Sequence, residues 1–333
     1  MADGTVMRAD DQLDFLRKHG WGSADITPLI PDASYRSYKR LTLEDECRML
    51  MDAPPPRENL NAYLDMTTHL KSLGLRVPDI FAEDRTLGYA LIEDFGDDTF
   101  TRLLEAGTDA RALYLIATDI LIKLHSHKNA RNIALAPYDM PSLLREAALF
   151  VDWFVPAVRG QGVSTAERTR YMTAFEAALG GVAECRDALV LRDFHVDNLM
   201  IVGGTFDTSH CGLLDYQDAL IGSPAYDVIS LIEDARCDVG TDIRAAVLER
   251  YFKGVPGVDR EAFTSDMMLL GAQRSAKIAG LFIRLSRRDN KHIYLKHLPR
   301  VNRHLNNCLQ ADALEGVREA VYAMLPGFPD VAY

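Results

Sequence analysis

The pattern of apolar residues changes at one short polar segment, residues 93–98, and that change limits the folds open to this chain. Before the segment, short apolar runs broken by turn residues predict strands, and one longer run with helical spacing predicts a helix. The strands are predicted at 26–30, 35–43, 47–51, 79–82 and 89–92, and the helix at 59–73. After the segment, long amphipathic runs predict a mostly helical remainder.

These two parts predict an α+β protein with two lobes, because 333 residues also exceed the usual size of one domain. We place the lobes at residues 1–95 and 96–333, with 93–98 as the hinge. A further helix is predicted at 9–20, and the helices beyond the hinge are predicted at 113–127, 140–155, 167–179, 225–235, 245–252, 260–285 and 298–309.

The charge balance disfavours polyanionic partners. The formal net charge of −11 repels nucleic acid and anionic membrane surfaces, whereas a nucleotide is acceptable when Mg²⁺ accompanies it. The five cysteines are widely spaced with no C-x-x-C pair, and no run of about 18 apolar residues occurs. We therefore expect a cytoplasmic protein with reduced thiols and with neither a nucleic-acid nor a membrane partner. The oligomeric state stays open.

A polar loop, residues 191–198, lies between two apolar runs and is the first candidate for chemistry. Within it Asp193 precedes Asn198 by five positions, and Asp215 follows a later apolar pair. Protein kinases use this spacing for an Asp that accepts the proton of the attacking hydroxyl, an Asn that holds Mg²⁺ and a further metal-binding Asp. We therefore predict that Asp193 is catalytic and that Asn198 and Asp215 bind the metal.

Two other interpretations of the polar loop are open. A turn with local Asp and Asn hydrogen bonds is common, but three polar residues at these spacings favour phosphoryl transfer. His195 and Asp193 also form an Asp-x-His pair, as in a metal-dependent hydrolase, although such an enzyme needs further His or Asp clusters.

A helix start follows Asp215. Ser223 is a good N-cap, Pro224 suits the first helical position, and Asp227 in the first turn is favoured by the helix dipole. We predict that Asp227 also supports the polar loop.

These motifs resemble the aminoglycoside phosphotransferase and choline kinase-like group of small-molecule kinases, which share residues of the type found at 191–198, Asp215 and 222–227. Within that group the chain is most similar to bacterial cell-wall-recycling kinases of N-acetylmuramate and N-acetylglucosamine. The segments that carry this narrower likeness are 32–38, 50–55, 213–219, 234–239 and 284–300.

The resemblance implies a bilobal protein-kinase-like fold. Residues 1–95 would form a small antiparallel sheet with one main helix that binds ATP, and 96–333 would hold the polar loop and the acceptor site. It also implies Mg²⁺ and phosphorylation of the anomeric C1 hydroxyl of the amino sugar.

The chain departs from this group at two places. Leu191 replaces the usual His at the start of the polar loop. The third predicted strand lacks the Lys that kinases use on the α and β phosphates. We expect Arg36 or Lys39 to supply that cation, with Ser34 helping, although both could be solvent-facing strand residues. The residue that pairs with the cation is either Glu58 or Asp65.

The remaining predicted contacts concern the adenine and the acceptor. Glu93 and Phe95 in the hinge are expected near the adenine. On the acceptor side we expect Asp218, Glu233, Asp234 and Arg236, because carboxylates pair with sugar hydroxyls and Arg can bind a lactyl carboxylate bidentately. The alternative for the last group is an exposed, charged helix end.

Other functions stay open at this point. A kinase of an aminoglycoside, choline or another alcohol is the nearest alternative, since an acidic site suits polycations. The missing Lys also allows a pseudokinase that binds nucleotide without transfer.

Overall fold

The structure, a computed structural model, describes residues 2–30 and 34–333. It divides into two compact units, here called the sheet unit (residues 1–102 and 199–218) and the helical unit (residues 103–198 and 219–333). The lobe boundaries drawn from the sequence, 1–95 and 96–333, stay a prediction.

The chain begins with the elements of the sheet unit. They are α1 (Ala2–Lys18), β1 (Asp25–Pro28), β2 (Ser37–Leu43), β3 (Glu46–Asp52), α2 (Leu60–Ser72), β4 (Ile80–Asp84), β5 (Tyr89–Glu93) and the start of α3 (Phe100–Glu105). The five strands form one antiparallel sheet in the order β1-β2-β3-β5-β4. The predicted order of three strands, a helix and two strands is confirmed.

The later elements are mostly helices. They are α4 (Ala110–Ser126), α5 (Met140–Leu149), α6 (Val155–Arg159), α7 (Thr165–Ala183), β6 (Ala188–Val190), β7 (Leu199–Ile201), β8 (Cys211–Leu213), β9 (Leu220–Gly222), α8 (Ala225–Ile232), α9 (Thr241–Gly254), α10 (Arg260–Asp289), α11 (Leu298–Cys308) and α12 (Glu315–Met324). Strands β7 and β8 form an antiparallel hairpin in the sheet unit, and β6 pairs with β9 in the helical unit. The sequence did not predict α3 or α12.

The two faces of the sheet differ because side chains alternate along each strand. Leu41 of β2 and Leu50 of β3 are fully buried in one cluster with Phe15 and Leu16 of α1. Lys39 lies on this α1 face as well, where its ammonium donates to Gln12. The register pairs Lys39 with Leu50, so residues 36, 38 and 40 belong to the opposite face.

In the helical unit, α10 packs against α5, α8 and α11. Gly280 permits its close approach to α5, because a Cβ there would lie 2.1 Å from the carbonyl oxygen of Leu149. The helix predicted at 140–155 is interrupted by a π-helical turn at Phe150–Phe154. Pro156 follows this turn and has no amide hydrogen to continue a regular helix.

The short strand pairs fix the two ends of the polar loop. Residues 191–198 run from the end of β6 to the start of β7, and all three residues of each strand are buried. Across residues 2–30 and 34–333, no helix combines the length and the apolar character needed to cross a bilayer.

The α1 face of the sheet gives a first prediction. Leu50→Ala should lower the free energy of unfolding by about 2–5 kcal/mol, because it leaves a cavity in a closed cluster. Urea unfolding followed by the fluorescence of Trp21, which belongs to the same cluster, measures the change. Ile30→Ala is the control, since Ile30 is 95% exposed, and should change the free energy by less than about 0.5 kcal/mol. Equal midpoints for the two variants would contradict the assigned core.

Candidate active site

A buried carboxylate holds the first turn of the polar loop. Asp227 of α8 is fully buried, and its two oxygens accept hydrogen bonds from the backbone amides of Leu191 (2.7 Å) and Arg192 (2.8 Å). Arg192 has a φ of 70°, an uncommon conformation for a residue with a side chain. Bonds from two amides to one carboxylate stabilise this conformation and direct the chain into Asp193.

A second buried carboxylate holds the other half of the loop. Asp234 accepts from the amide of Val196 (3.1 Å) and from the amide of Arg236 (2.9 Å). The guanidinium of Arg236 forms ion pairs with Asp234 and with Asp197 of the loop. These contacts place Asp234 and Arg236 behind the polar loop, where they brace it.

Asn198 closes the loop onto Asp193. Its side-chain amide nitrogen donates to the carbonyl oxygen of Asp193 at 2.9 Å, and the amide of Asp193 donates to Leu191 O at 2.9 Å. Because Nδ2 is used in this way, the carbonyl oxygen Oδ1 of Asn198 is the atom suited to a hard cation. The loop therefore fixes the main chain of Asp193 at both its amide and its carbonyl group.

A buried ionic cluster in the helical unit was not predicted from the sequence. Glu146 of α5 pairs with Arg192 of the polar loop and lies 3.4 Å from the ammonium of Lys277. Its other oxygen accepts from Tyr138 and from Gln273, the latter at 3.1 Å. The carboxylate thus joins α5, α10 and the loop.

The charges of this cluster are stabilised by one another. Burial raises the pKa of Glu146, but Lys277, Arg192 and the two neutral donors outweigh burial and lower that pKa to about 2. Burial also acts to lower the pKa of Lys277, yet Tyr226, Glu146 and Asp193 leave it raised. Lys277 is therefore an ammonium within the electrostatic reach of Asp193.

In the sheet unit, Arg36 joins two acidic residues. Its side chain is 8% exposed, Nη2 donates to Asp215 at 2.7 Å, and Nε lies 3.5 Å from Glu58. Burial acts to lower the pKa of Arg36, but Tyr38, Asp215 and Glu58 together raise it. The predicted cation was Arg36 or Lys39, and its predicted partner was Glu58 or Asp65. In the structure, Arg36 and Glu58 form the pair.

Asp215 is held by its neighbours in sequence and by α2. Its φ of 57° is left-handed, and Gln217 donates to its carboxylate at 3.0 Å. Tyr216 is buried, stacks on Tyr63 of α2 at 5.4 Å between ring centroids, and shares a 2.7 Å hydrogen bond with Thr67. Helix α2 therefore holds the residue next to Asp215 in place.

The hinge residues predicted near the adenine have structural partners. Glu93 binds the guanidinium of Arg76 and accepts from the amide of Asp79. Phe95 is buried under the guanidinium of Arg76, 4.6 Å from its ring centroid, and a Cβ on Gly212 would lie 2.5 Å from the ring. These contacts engage both side chains, so a nucleotide contact here would use the main chain.

The other predicted residues lie in different surroundings. Ser34 accepts from the amide of Arg36 at 3.2 Å, and Asp218 is exposed. Glu233 is buried next to Arg244 and Cys308 in the helical unit. Burial raises the pKa of Glu233. Acceptor binding by Asp218, Glu233, Asp234 and Arg236 stays a prediction.

His195 belongs to the interior of the loop. It is 6% exposed, and burial together with Arg236 and Arg274 lowers its pKa well below the usual value. A neutral imidazole next to Asn198, at 3.4 Å, supports the loop from inside.

We compared the chain with protein-family models and with known proteins. The model of the phosphotransferase enzyme family matches residues 25–263, which include the β7–β8 hairpin, the polar loop, and Arg36 with its partners Glu58 and Asp215. The chain belongs to this family. The chain is also similar to the N-acetylmuramate/N-acetylglucosamine kinase of Caulobacter vibrioides, to which it is 32% identical, with 90% of this chain and 92% of that protein covered. The kinase of the same name from Pseudomonas aeruginosa is 33% identical, with 87% and 86% covered.

Solved structures show the same fold at lower identity. An ADP-bound aminoglycoside phosphotransferase has a TM-score of 0.60 at 15% identity, covering 92% of this chain and 99% of that one. A choline kinase from Streptococcus pneumoniae has a TM-score of 0.62 at 13% identity, with 90% and 99% covered. The predicted α+β, protein-kinase-like fold and the family resemblance are confirmed. The protein is therefore an enzyme, a small-molecule phosphotransferase of the kinase type that uses a nucleotide.

The ionic cluster around Glu146 predicts a pH dependence of stability. Because the pKa of Glu146 lies below its ordinary 4.5 in the folded protein, its contribution is complete above about pH 4.5 and is lost as the pH falls towards 2. Glu146→Gln should therefore be clearly less stable than the wild type at pH 6, and the difference should shrink by pH 3. Urea midpoints across this range measure it. Exposed Glu184, changed to Gln, is the control and should follow the wild-type curve; a pH-independent difference for Glu146→Gln would refute the ionic account.

Proposed function

We propose that this enzyme transfers the γ-phosphoryl group of ATP to the anomeric C1 hydroxyl of N-acetylmuramate and N-acetylglucosamine. The polar loop, with Asp193 fixed between Asp227 and Asp234, is the observation that supports the reaction type. The names of the relatives, similar over nearly the whole chain, support the acceptor. The proposed setting is the cytoplasm, where such a kinase would act on recycled cell-wall sugars.

Asp193 is the proposed catalytic residue. Its carboxylate orients the C1 hydroxyl and accepts its proton as the sugar oxygen forms a bond to the γ phosphorus. The bond between that phosphorus and the β,γ-bridging oxygen breaks, and ADP leaves. Lys277 and Arg192 counterbalance the negative charge that collects near the polar loop.

Asn198 and Asp215 are the proposed ligands of Mg²⁺. Their oxygen donors suit this hard cation, which when bound neutralises charge on the phosphates. The sequence spacing supports the pairing, because kinases hold Mg²⁺ with an Asn five positions after the catalytic Asp and with a later Asp.

The remaining proposed contacts are those to the adenine, the phosphates and the acceptor. The main chain of Glu93 to Phe95 would receive the adenine, and Ser34 with Arg36 would lie near the phosphates. On the acceptor side we propose Asp218, which is exposed, for a sugar hydroxyl. Arg236 and Asp234 would act on the acceptor through the loop that they brace, and Glu233 through the packing around them.

The test is a screen of Mg-ATP consumption against N-acetylmuramate, N-acetylglucosamine, an aminoglycoside and choline. We expect turnover on the two amino sugars. Asp193→Asn should lower kcat on them by about 10²–10⁴-fold, because the proton acceptor is lost, while the Kd for ADP changes little.

The matched control is Asp207→Asn. Asp207 caps a turn at Thr208–His210, and Asn caps such a turn equally well, so kcat should stay at the wild-type value. Turnover confined to choline or the aminoglycoside would refute the proposed acceptor, and nucleotide binding with no transfer to any alcohol would identify a pseudokinase.

A further inference from the structure

The sheet face opposite α1 receives no lysine from β3. On that face β3 contributes Met49 and Met51, and both are buried. Arg48 belongs to the α1 face, where its guanidinium lies 4.0 Å from the ring centroid of Phe81 and 5.7 Å from that of Trp21. The strand that normally carries the phosphate-binding cation of a kinase therefore presents no cationic side chain there.

Arg36 lies on this same face, one residue before β2. Tyr38, two residues on, pairs across the sheet with Met51. The side chain is more than nine-tenths buried. Its Nε forms an ion pair with Glu58 but no hydrogen bond, and its Nη1 has no hydrogen-bond partner among the residues that the structure describes. An arginine nitrogen rarely stays buried without an acceptor, so this atom points to an anionic group that the protein binds.

We infer that Arg36 supplies the cation that binds the nucleotide phosphates, in place of the absent β3 lysine. The inference rests on the proposed use of ATP. In this chain the phosphate-binding cation is then a guanidinium next to the start of the second strand, whereas other kinases use an ammonium on the third strand. A guanidinium binds the carboxylates of Glu58 and Asp215 with two nitrogens and still has a third for a phosphate oxygen.

Glu58 contacts both the guanidinium of Arg36 and the backbone next to it. Its Oε1 accepts from the amide of Tyr35 at 2.8 Å, and its Oε2 lies 3.5 Å from Arg36 Nε. It precedes α2 rather than lying within it, next to the N-cap Asn59. One carboxylate thus fixes the backbone of residues 35–36 and the direction of the guanidinium.

The same helix links the cation to the proposed metal ligand. The ring of Tyr216, adjacent to Asp215, is held by Tyr63 and Thr67 of α2. Glu58, just before the N-cap of α2, therefore holds Arg36, and the middle of the helix holds Tyr216 next to Asp215. A displacement of α2 would change both groups together.

The experiment measures the Kd for ADP with EDTA and with Mg²⁺, and the KM for ATP and for the acceptor. The variants are Arg36→Met, Arg36→Lys and the matched control Arg48→Met, which removes an arginine from the other face of the same sheet. ADP binding measured in EDTA reports the contribution of Arg36 alone, because no Mg²⁺ is present whose binding the substitution could change.

Arg36→Met should raise the Kd for ADP in EDTA at least tenfold, a change of about 1.4 kcal/mol. The KM for ATP should rise in parallel, and the KM for the acceptor should stay within threefold. Arg36→Lys should recover only part of the loss, because an ammonium cannot reproduce the two carboxylate contacts and the phosphate contact. Arg48→Met should bind ADP as the wild type does. Wild-type metal-free affinity in Arg36→Met would overturn the inference.

Glu58→Gln keeps Arg36 and tests its orientation if Arg36→Met does not fold, as judged by circular dichroism. It should raise the Kd for ADP at least threefold in EDTA, and an unchanged Kd would overturn the role given to this corner. The proposed function and the inference fail separately. Amino-sugar transfer with Arg36-independent ADP binding refutes only the inference, whereas Arg36-dependent ADP binding without amino-sugar transfer refutes only the acceptor.

Discussion

Hydrogen bonds from backbone amides to two buried carboxylates are the interaction on which the proposed chemistry depends. Asp227 and Asp234 accept from amides at the two halves of the polar loop, and both side chains are fully buried. A buried carboxylate without such donors would be costly, and a loop of polar residues without such acceptors would be mobile. The two needs are met by the same contacts, and Asp193 is held in place as a result.

Each unit also neutralises its own buried charges. In the helical unit, Glu146 forms ion pairs with an ammonium and a guanidinium and accepts hydrogen bonds from two neutral donors. In the sheet unit, Arg36 forms ion pairs with Glu58 and Asp215. Removing one member of such a group leaves the others buried without compensation, which costs more than the pair contributes. These groups therefore fix side-chain positions more than they add stability.

The sequence predicted the parts whose chemistry fixes a spacing. Asp193, Asn198 and Asp215 were predicted as the site because their residue types and separations have few other uses, and the strands were predicted from short apolar runs broken by turn residues. The ion pair between Arg36 and Asp215 was not predictable, because the two residues are 179 positions apart and nothing in either neighbourhood reveals the other. Glu146 and Lys277 are single polar residues on amphipathic helices, and burial alone distinguishes them from solvated ones. The sequence predicted an acceptor surface at Glu233, Asp234 and Arg236. In the structure, Glu233 contacts Arg244, Asp234 accepts from the polar loop, and Arg236 pairs with Asp197.

The most direct test of the central claim is the position of the transferred phosphate. Phosphorus NMR of the product from N-acetylmuramate and from N-acetylglucosamine, incubated with the enzyme and Mg-ATP, distinguishes the sugar oxygens. We predict one phosphorus signal coupled to the anomeric proton and loss of the reducing end in both sugars. A signal coupled to the protons of C6, with the reducing end intact, would contradict it.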